Sequence, residues 1–289
     1  LIEVTPDSPP PAWLAAALAL TRSPALPLTL RKKLGKTLPN PAGQGFRAQI
    51  FEAVFQGRTG THLDDKIWLY GLHEAATIRL MRAILAQDRA EGRSPVLLDI
   101  GTNAGLHLLA CAGLCDRALG FEPWEPIRAR AEANLAASHF THAKVLPFGL
   151  GEADADLPFS PPDGTDNHGV GSFAREGGTL TLKVRRGDDV IAEEAMSPTL
   201  LKIDTEGFER PVLRGLRETL ARHRPAIVFE LGGPTEERAA LARDVPTLLP
   251  EGYALHGLRR SRETPALFPL RPGDRCENAL AWPPGRRLP

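Results

Sequence analysis

The chain has 289 residues, with Lys plus Arg and Asp plus Glu at 35 each and a formal net charge of zero. That balance gives no overall electrostatic case for nucleic acid or an anionic membrane as partner, and the length is ample for one elaborated α/β domain or one domain with appendages. Cys111, Cys115 and Cys276 form an odd set with no paired framework, so reduced thiols in a cytoplasmic setting are expected, with Cys111 and Cys115 packed in an apolar helix rather than on zinc.

Residues 1–64 read as an N-terminal extension or cap, rich in Pro and Gly, with apolar patches around Trp13 and over 46–55 and a short helix predicted over 13–20. The apolar run 12–20 is too short to span a bilayer and follows prolines rather than basic residues, so neither a membrane span nor a signal segment is expected. Arg22, Arg31, Lys32, Lys33, Lys36, Arg47 and Arg58 outnumber Glu3, Asp7 and Glu52 in the first sixty residues. A solvated face is the simpler reading of that bias; a patch for an anionic substrate is the sharper one.

Residues 65–289 read as one domain without internal repeats. A helix is predicted over 72–85, ending at the 92–95 breaker, followed by a strand over 96–100, a helix over 104–114, a strand over 118–121, a helix over 126–137 and a strand over 144–148. A polar stretch over 151–178 leads to a half-exposed strand over 179–184, the return arm of a hairpin. Buried strands over 200–203 and 226–231 flank a helix over 209–222; a helix over 235–243 and strands over 253–258 and 278–282 complete the pattern. The alternation predicts an α/β fold with a mostly parallel sheet, helices on both faces and an antiparallel hairpin at the end.

Chemistry concentrates where three strands end. Asp99-Ile100-Gly101-Thr102-Asn103-Ala104-Gly105 joins a strand to a helix through a glycine turn, where a ligand approaches the backbone closely. No third glycine opens the helix as a docked pyrophosphate requires, and an acid at Asp99 suits a cationic ligand better. About twenty residues on, Glu122 ends the next strand where a ribose diol donates hydrogen bonds to an acid, beside Pro123 and Trp124 as an apolar wall for a base or as ordinary packing. Lys202-Ile203-Asp204-Thr205-Glu206-Gly207 ends a third strand; burying Lys202 and Asp204 is costly unless they pair or are used, so this cluster is either a structural ion pair or the floor of a second site.

In this order, these motifs resemble the FkbM family of class I methyltransferases. Tyr70-Gly71 with His73-Glu74, the Asp99 to Gly105 loop, Phe121-Glu122-Pro123 with Asn134-Leu135, Asn167-His168-Gly169 to Gly171-Ser172, Lys202 to Gly207 and Val228-Phe229-Glu230 carry the resemblance. It implies a Rossmann-like, seven-stranded sheet, S-adenosylmethionine as donor with S-adenosylhomocysteine as product, and O-methylation of a hydroxyl on a sugar, glycolipid or natural-product acceptor.

On that reading Glu74, Asp99, Gly101, Asn103, Gly105, Glu122, Pro123, Trp124 and Gly149 are the expected donor-site residues. Asp204 is the first choice of general base, with Glu206 and His168 in reserve and Lys202 orienting Asp204 or an acceptor oxygen. Glu230 lines the same cleft or pairs with a helix. No metal is expected, because Asp188-Asp189 has no matching ligands. The extension then serves as a lid over the acceptor or a homodimer contact. An NAD(P)-dependent oxidoreductase and a non-catalytic nucleoside-binding protein remain the alternatives, because a strand, a glycine turn and a later acid serve both ligand classes.

Overall fold

The computed structural model describes residues 2–161, 173, 178–231, 241, 244–259, 263–271 and 273–289. The N-terminal part runs β1 (Glu3–Pro6), α1 (Ala12–Arg22), α2 (Leu28–Gly35), β2 (Gly45–Ile50), β3 (Ala53–Arg58) and α3 (His62–Tyr70). Strands β1, β2 and β3 form an antiparallel sheet in that order. Its central strand alternates, with Phe46, Ala48 and Ile50 buried and Arg47 and Gln49 exposed, the period-two pattern of a half-buried strand. The sequence reading anticipated α1 and missed this sheet, because a six-residue alternation is a weak signal among prolines and glycines. Residue 64 lies within α3, and Leu18, Phe46, Phe55 and Trp68 join the same buried cluster as Ile78 and Leu109 from the following helices.

The remainder comprises α4 (Ala75–Ala90), β4 (Val96–Ile100), α5 (Leu106–Ala112), β5 (Arg117–Phe121), α6 (Glu125–Ala137), β6 (Ala143–Leu146), β7 (Gly149–Gly151), β8 (Ala155–Phe159), β9 (Leu180–Arg186), α7 (Gly187–Glu193), β10 (Leu200–Ile203), α8 (Glu209–Gly215), α9 (Arg217–His223), β11 (Ala226–Glu230), β12 (Ala254–Leu258), β13 (Leu267–Pro269) and β14 (Asn278–Trp282). The main sheet has the order β13-β12-β14-β11-β10-β4-β5-β6. From β6 to β11 the strands are parallel, and β14 inserts antiparallel between β11 and β12. The seven expected strands are present, with β13 as an unanticipated eighth at the edge.

Both faces of the sheet are covered. Leu97, Leu200 and Val228 pack with α4, α5, α6 and the N-terminal part, whereas Leu98, Leu201 and Phe229 pack with α7, α8 and α9. Such two-sided burial explains why these strands read as unbroken apolar runs.

A second small sheet, β7-β9-β8, contains the expected hairpin as β8 against β9. The helix expected over 209–222 is broken at Leu216. Gly215 lies so close to the Gly151 carbonyl that a Cβ there would stand 1.8 Å from its oxygen. The buried Asp188 restarts the helix: its Oδ1 accepts from the Thr219 N–H at 2.8 Å and its Oδ2 from the Glu218 N–H at 3.0 Å. The helix expected over 235–243 lies outside the described residues apart from Leu241. Among the described residues, no helix is long and apolar enough to cross a membrane.

Candidate active site

From β4 the chain proceeds outward to β5 and β6, then returns to place β10 on the other side of β4. At such a reversal the two following loops separate and open a crevice beyond the carboxyl ends of the strands. Gly101, Asn103 and Gly105 take positive φ in the turn after β4. A Cβ on Gly101 would lie 1.8 Å from the Asp204 carbonyl oxygen, so the loop after β10 rests directly on the glycine turn. Thr102 Oγ1 donates to the Asp99 carbonyl at 2.7 Å and accepts from the Phe121 N–H at 2.8 Å, tying the turn to β5.

Glu122 is held at the end of β5 by two backbone donors, the Asn103 N–H at 2.9 Å to Oε2 and the Trp124 N–H at 3.0 Å to Oε1. Burial nevertheless pushes its carboxyl up to about 7, outweighing those hydrogen bonds. Burial likewise lifts Asp99 to about 6; this side chain lies beneath the turn, and its Oδ2 has no hydrogen-bond partner among the described residues.

The charged cluster after β10 is both an ion pair and a cavity floor. Lys202 is fully buried, with Nζ 2.9 Å from Asp204 Oδ2. Burial works against its charge, but Asp204, Glu74 and Asp99 outweigh burial and hold it as ammonium. Burial opposes the charge on Asp204 as well, and Lys202 together with a hydrogen bond from Glu230 more than offsets it, keeping that carboxyl below its ordinary range. Glu230 is pushed up by burial and by Asp204. The carboxylates of Asp204, Glu206 and Glu230 lie within 4.8 Å of one another, the one metal-like spacing among the described residues, and Lys202 already sets a cation against them. Glu209, which sequence reasoning passed over, fixes this loop by accepting from the Thr205 N–H at 3.0 Å and the Gly207 N–H at 3.1 Å.

Glu74 faces this cluster from the start of α4. Its Oε2 is 3.1 Å from His107 Nε2, and its Oε1 accepts from Asn278 Nδ2 at 3.1 Å. Burial opposes its charge, but His107 and Lys202 hold the carboxyl well below the usual range. The neighbouring His73 is driven down to about 4 by burial and is neutral at pH 7. Glu74, Asn103 and Glu206 all adopt left-handed backbone conformations. For residues other than glycine such strain costs on the order of 1–3 kcal/mol each and gathers at functional sites.

Two contiguous spaces result. A cleft of about 570 Å³ has Glu74, Gly101, Asn103, Asp204, Glu206 and Glu230 among its lining residues. Beside it a slot of about 70 Å³ is walled by Glu122, Pro123, Trp124, Phe159, Phe173 and Phe208, and Gly149 opens onto it. Gly101, Asn103, Asp204 and Glu206 border both. Asp99, Gly105 and Lys202 border neither. Gly105 instead spaces α5 from α6, where a Cβ would stand 3.2 Å from that of Ala131. His168 lies outside the described residues. The aromatic walls Phe159 and Phe208 had no local signal, because they belong to a polar stretch and a loop whose approach to β5 is a tertiary event.

A model of the methyltransferase FkbM domain matches residues 99–256, which run from the end of β4 into β12. The hexuronic acid methyltransferase AglP of Haloferax volcanii is 31% identical over 43% of this chain and 51% of that protein. The AMB antimetabolite synthetase AmbE of Pseudomonas aeruginosa is 30% identical over 52% of this chain and 9% of that protein. The chain therefore spans about half the length of the first relative and under a tenth of the second. Among solved structures, the FkbM methyltransferase of Methylobacillus flagellatus KT is similar at 19% identity, covering 65% of this chain and 44% of that one with a TM-score of 0.47. With the family's pattern extending over more than half of its length, from the end of β4 into β12, the chain belongs to the FkbM methyltransferase family.

Proposed function

We propose that this protein is an S-adenosylmethionine-dependent methyltransferase acting on an oxygen of a carbohydrate acceptor. The observation that carries this reading is the contiguity of an aromatic slot ending in Glu122 with a charged cleft floored by Asp204. The residues fit the donor. Glu122 suits a ribose diol, Trp124 and Phe208 suit the faces of an adenine, and Gly101 and Asn103 border the passage into the cleft. Asp99 beneath the turn opposes a dinucleotide's pyrophosphate, because a second negative charge would be brought beside a buried carboxylate. The hexuronic acid named for the Haloferax relative motivates the carbohydrate class.

When bound, S-adenosylmethionine supplies an electrophilic methyl group. The chain's own residues align the acceptor oxygen, exclude water and take a proton. Asp204 receives the acceptor's proton, and Lys202 steadies that carboxylate through its Nζ contact. Glu206 and Glu230 hold the acceptor's remaining hydroxyls. Residues 1–64 act as a cap over the acceptor cleft, with residues 65–289 as the methyltransferase domain.

Calorimetric titration with S-adenosylhomocysteine, beside NAD and NADP, tests the reading without knowledge of the acceptor. Saturable binding of S-adenosylhomocysteine alone is expected, weakened in Glu122→Ala by about 1–3 kcal/mol through loss of ribose hydrogen bonds. Binding of NAD or NADP in its place overturns the proposal.

A further inference from the structure

The cleft has a cationic rim that the proposed methyl transfer leaves unused. Lys32 and Lys36, four residues apart at the end of α2, both line it, and the intervening Lys33 does not. Residues four apart share a helix face, so the sequence places two charges on the side turned to the cleft. Lys66 from α3 lines the same cleft. Among the described residues neither Lys32 nor Lys36 has a carboxylate within ion-pair distance, and Lys66 approaches the Tyr70 ring at 5.9 Å.

Most other charged groups lining this space, among them the acid Glu230 hydrogen-bonded to Asp204, have partners of their own. Arg130 is bound to Asp64 at 2.8 Å, Asp204 is paired with Lys202, and Glu74 with His107. Glu263 is joined to Arg31 and faces Arg79 at 4.0 Å. Glu206 and Glu277 line the cleft too and have interactions of their own.

The lysines stand on an anchored support. Arg31, in the same helix, is buried, and its guanidinium donates to the Thr21 carbonyl at 2.6 Å, to the Tyr70 carbonyl at 3.2 Å and to Glu263. A cation near a helix C-terminus is favourable, which accounts for Lys32, Lys33 and Lys36 alike. It does not account for a lysine of another helix converging on the same space, and like charges four apart on a helix repel. Positive groups gathered at the mouth of a cleft raise the local concentration of anions.

We propose that the acceptor is an anion and that Lys32, Lys36 and Lys66 form the subsite for its carboxylate or phosphate group. That the anion is a methyl acceptor rests on the methyltransferase reading; the anion subsite itself does not depend on it. Lys32 and Lys36 of the extension and Lys66 at the start of the methyltransferase domain thereby supply charge selection, and Asp204 and its neighbours supply the reacting groups.

The test is calorimetric titration of the full chain with sodium glucuronate, inorganic phosphate and glucose, with and without S-adenosylhomocysteine. Glucuronate or phosphate binds, and glucose binds at least about tenfold more weakly. The anion's affinity falls with added salt and drops by at least about tenfold in the Lys32→Gln/Lys36→Gln/Lys66→Gln variant, while Lys33→Gln is unchanged. The stronger of the two anions identifies carboxylate or phosphate as the group recognised. Circular dichroism and thermal unfolding matching the parent establish that the triple variant is folded. No saturable binding of either anion, glucose binding equal to theirs, or full anion affinity in the triple variant overturns the proposal. Lysine-dependent anion binding without any binding of S-adenosylhomocysteine leaves the subsite standing and removes the methyltransferase reading; the converse does the reverse.

Discussion

Gly101→Ala isolates the contact that builds the site. At this position φ is +83° and an added Cβ would fall 1.8 Å from the Asp204 carbonyl oxygen, a backbone atom with no flexible end to swing away. The left-handed conformation alone costs an alanine roughly 1–2 kcal/mol. Overpacking against backbone adds about 1–3 kcal/mol. Gly92→Ala provides the control, since φ there is +77° with nothing within 4 Å of the added methyl. Thermal unfolding should therefore fall by about 2–8 °C in Gly92→Ala, at 2–4 °C per kcal/mol, and by roughly twice that or more in Gly101→Ala. Because the β10 loop must move by more than an ångström, affinity for S-adenosylhomocysteine should also fall by about tenfold or more in Gly101→Ala alone, the equivalent of one lost hydrogen bond. Equal destabilisation in the two variants, with donor affinity kept in both, refutes the close approach of the β10 loop to the glycine turn.

Two other perturbations follow from the charges. Lys202→Met should lower unfolding free energy by about 3–5 kcal/mol in denaturant titration, because it leaves the carboxylates of Asp204 and Glu74 unneutralised around a buried site. The double variant with Asp204→Asn should recover part of that loss, and strict additivity would sink the pairing. Glu122 has a folded pKa raised to about 7 by burial, so the folded state holds its proton more tightly than the unfolded chain does. Its unfavourable contribution is absent well below the unfolded carboxylate range and grows as pH rises to about 7, reaching at most about 3 kcal/mol. Ligand-free Glu122→Ala should therefore gain stability relative to the parent between about pH 5 and pH 8, and a pH-independent difference would contradict the shift.

The alternation of strands and helices from residue 96 to 230 was readable because each buried strand is a continuous apolar run bounded by glycine, proline or charge. Glu122, Gly101 and Asp204 were legible for a related reason: in an open parallel sheet the functional residues follow the strand ends, which local pattern marks. Alternation could not report which strand ends are neighbours. The insertion of β14 between β11 and β12 and the return from β6 to β10 are long-range pairings.

The sequence also determined that Lys202 and Asp204 must either pair or serve; tertiary structure decided that they pair, with Lys202 behind the cleft and Asp204 on its floor. Asp99 and Gly105 belong to the recognisable motif, yet they lie beneath and behind the turn, because a motif fixes backbone shape and leaves access to the packing around it. The basic bias of the first sixty residues was plain in composition. Whether those charges face solvent or a ligand depended on where α2 and α3 dock, and that docking is set by the buried Arg31 of α2 and by Trp68 of α3, which packs into a core whose other members lie far along the chain.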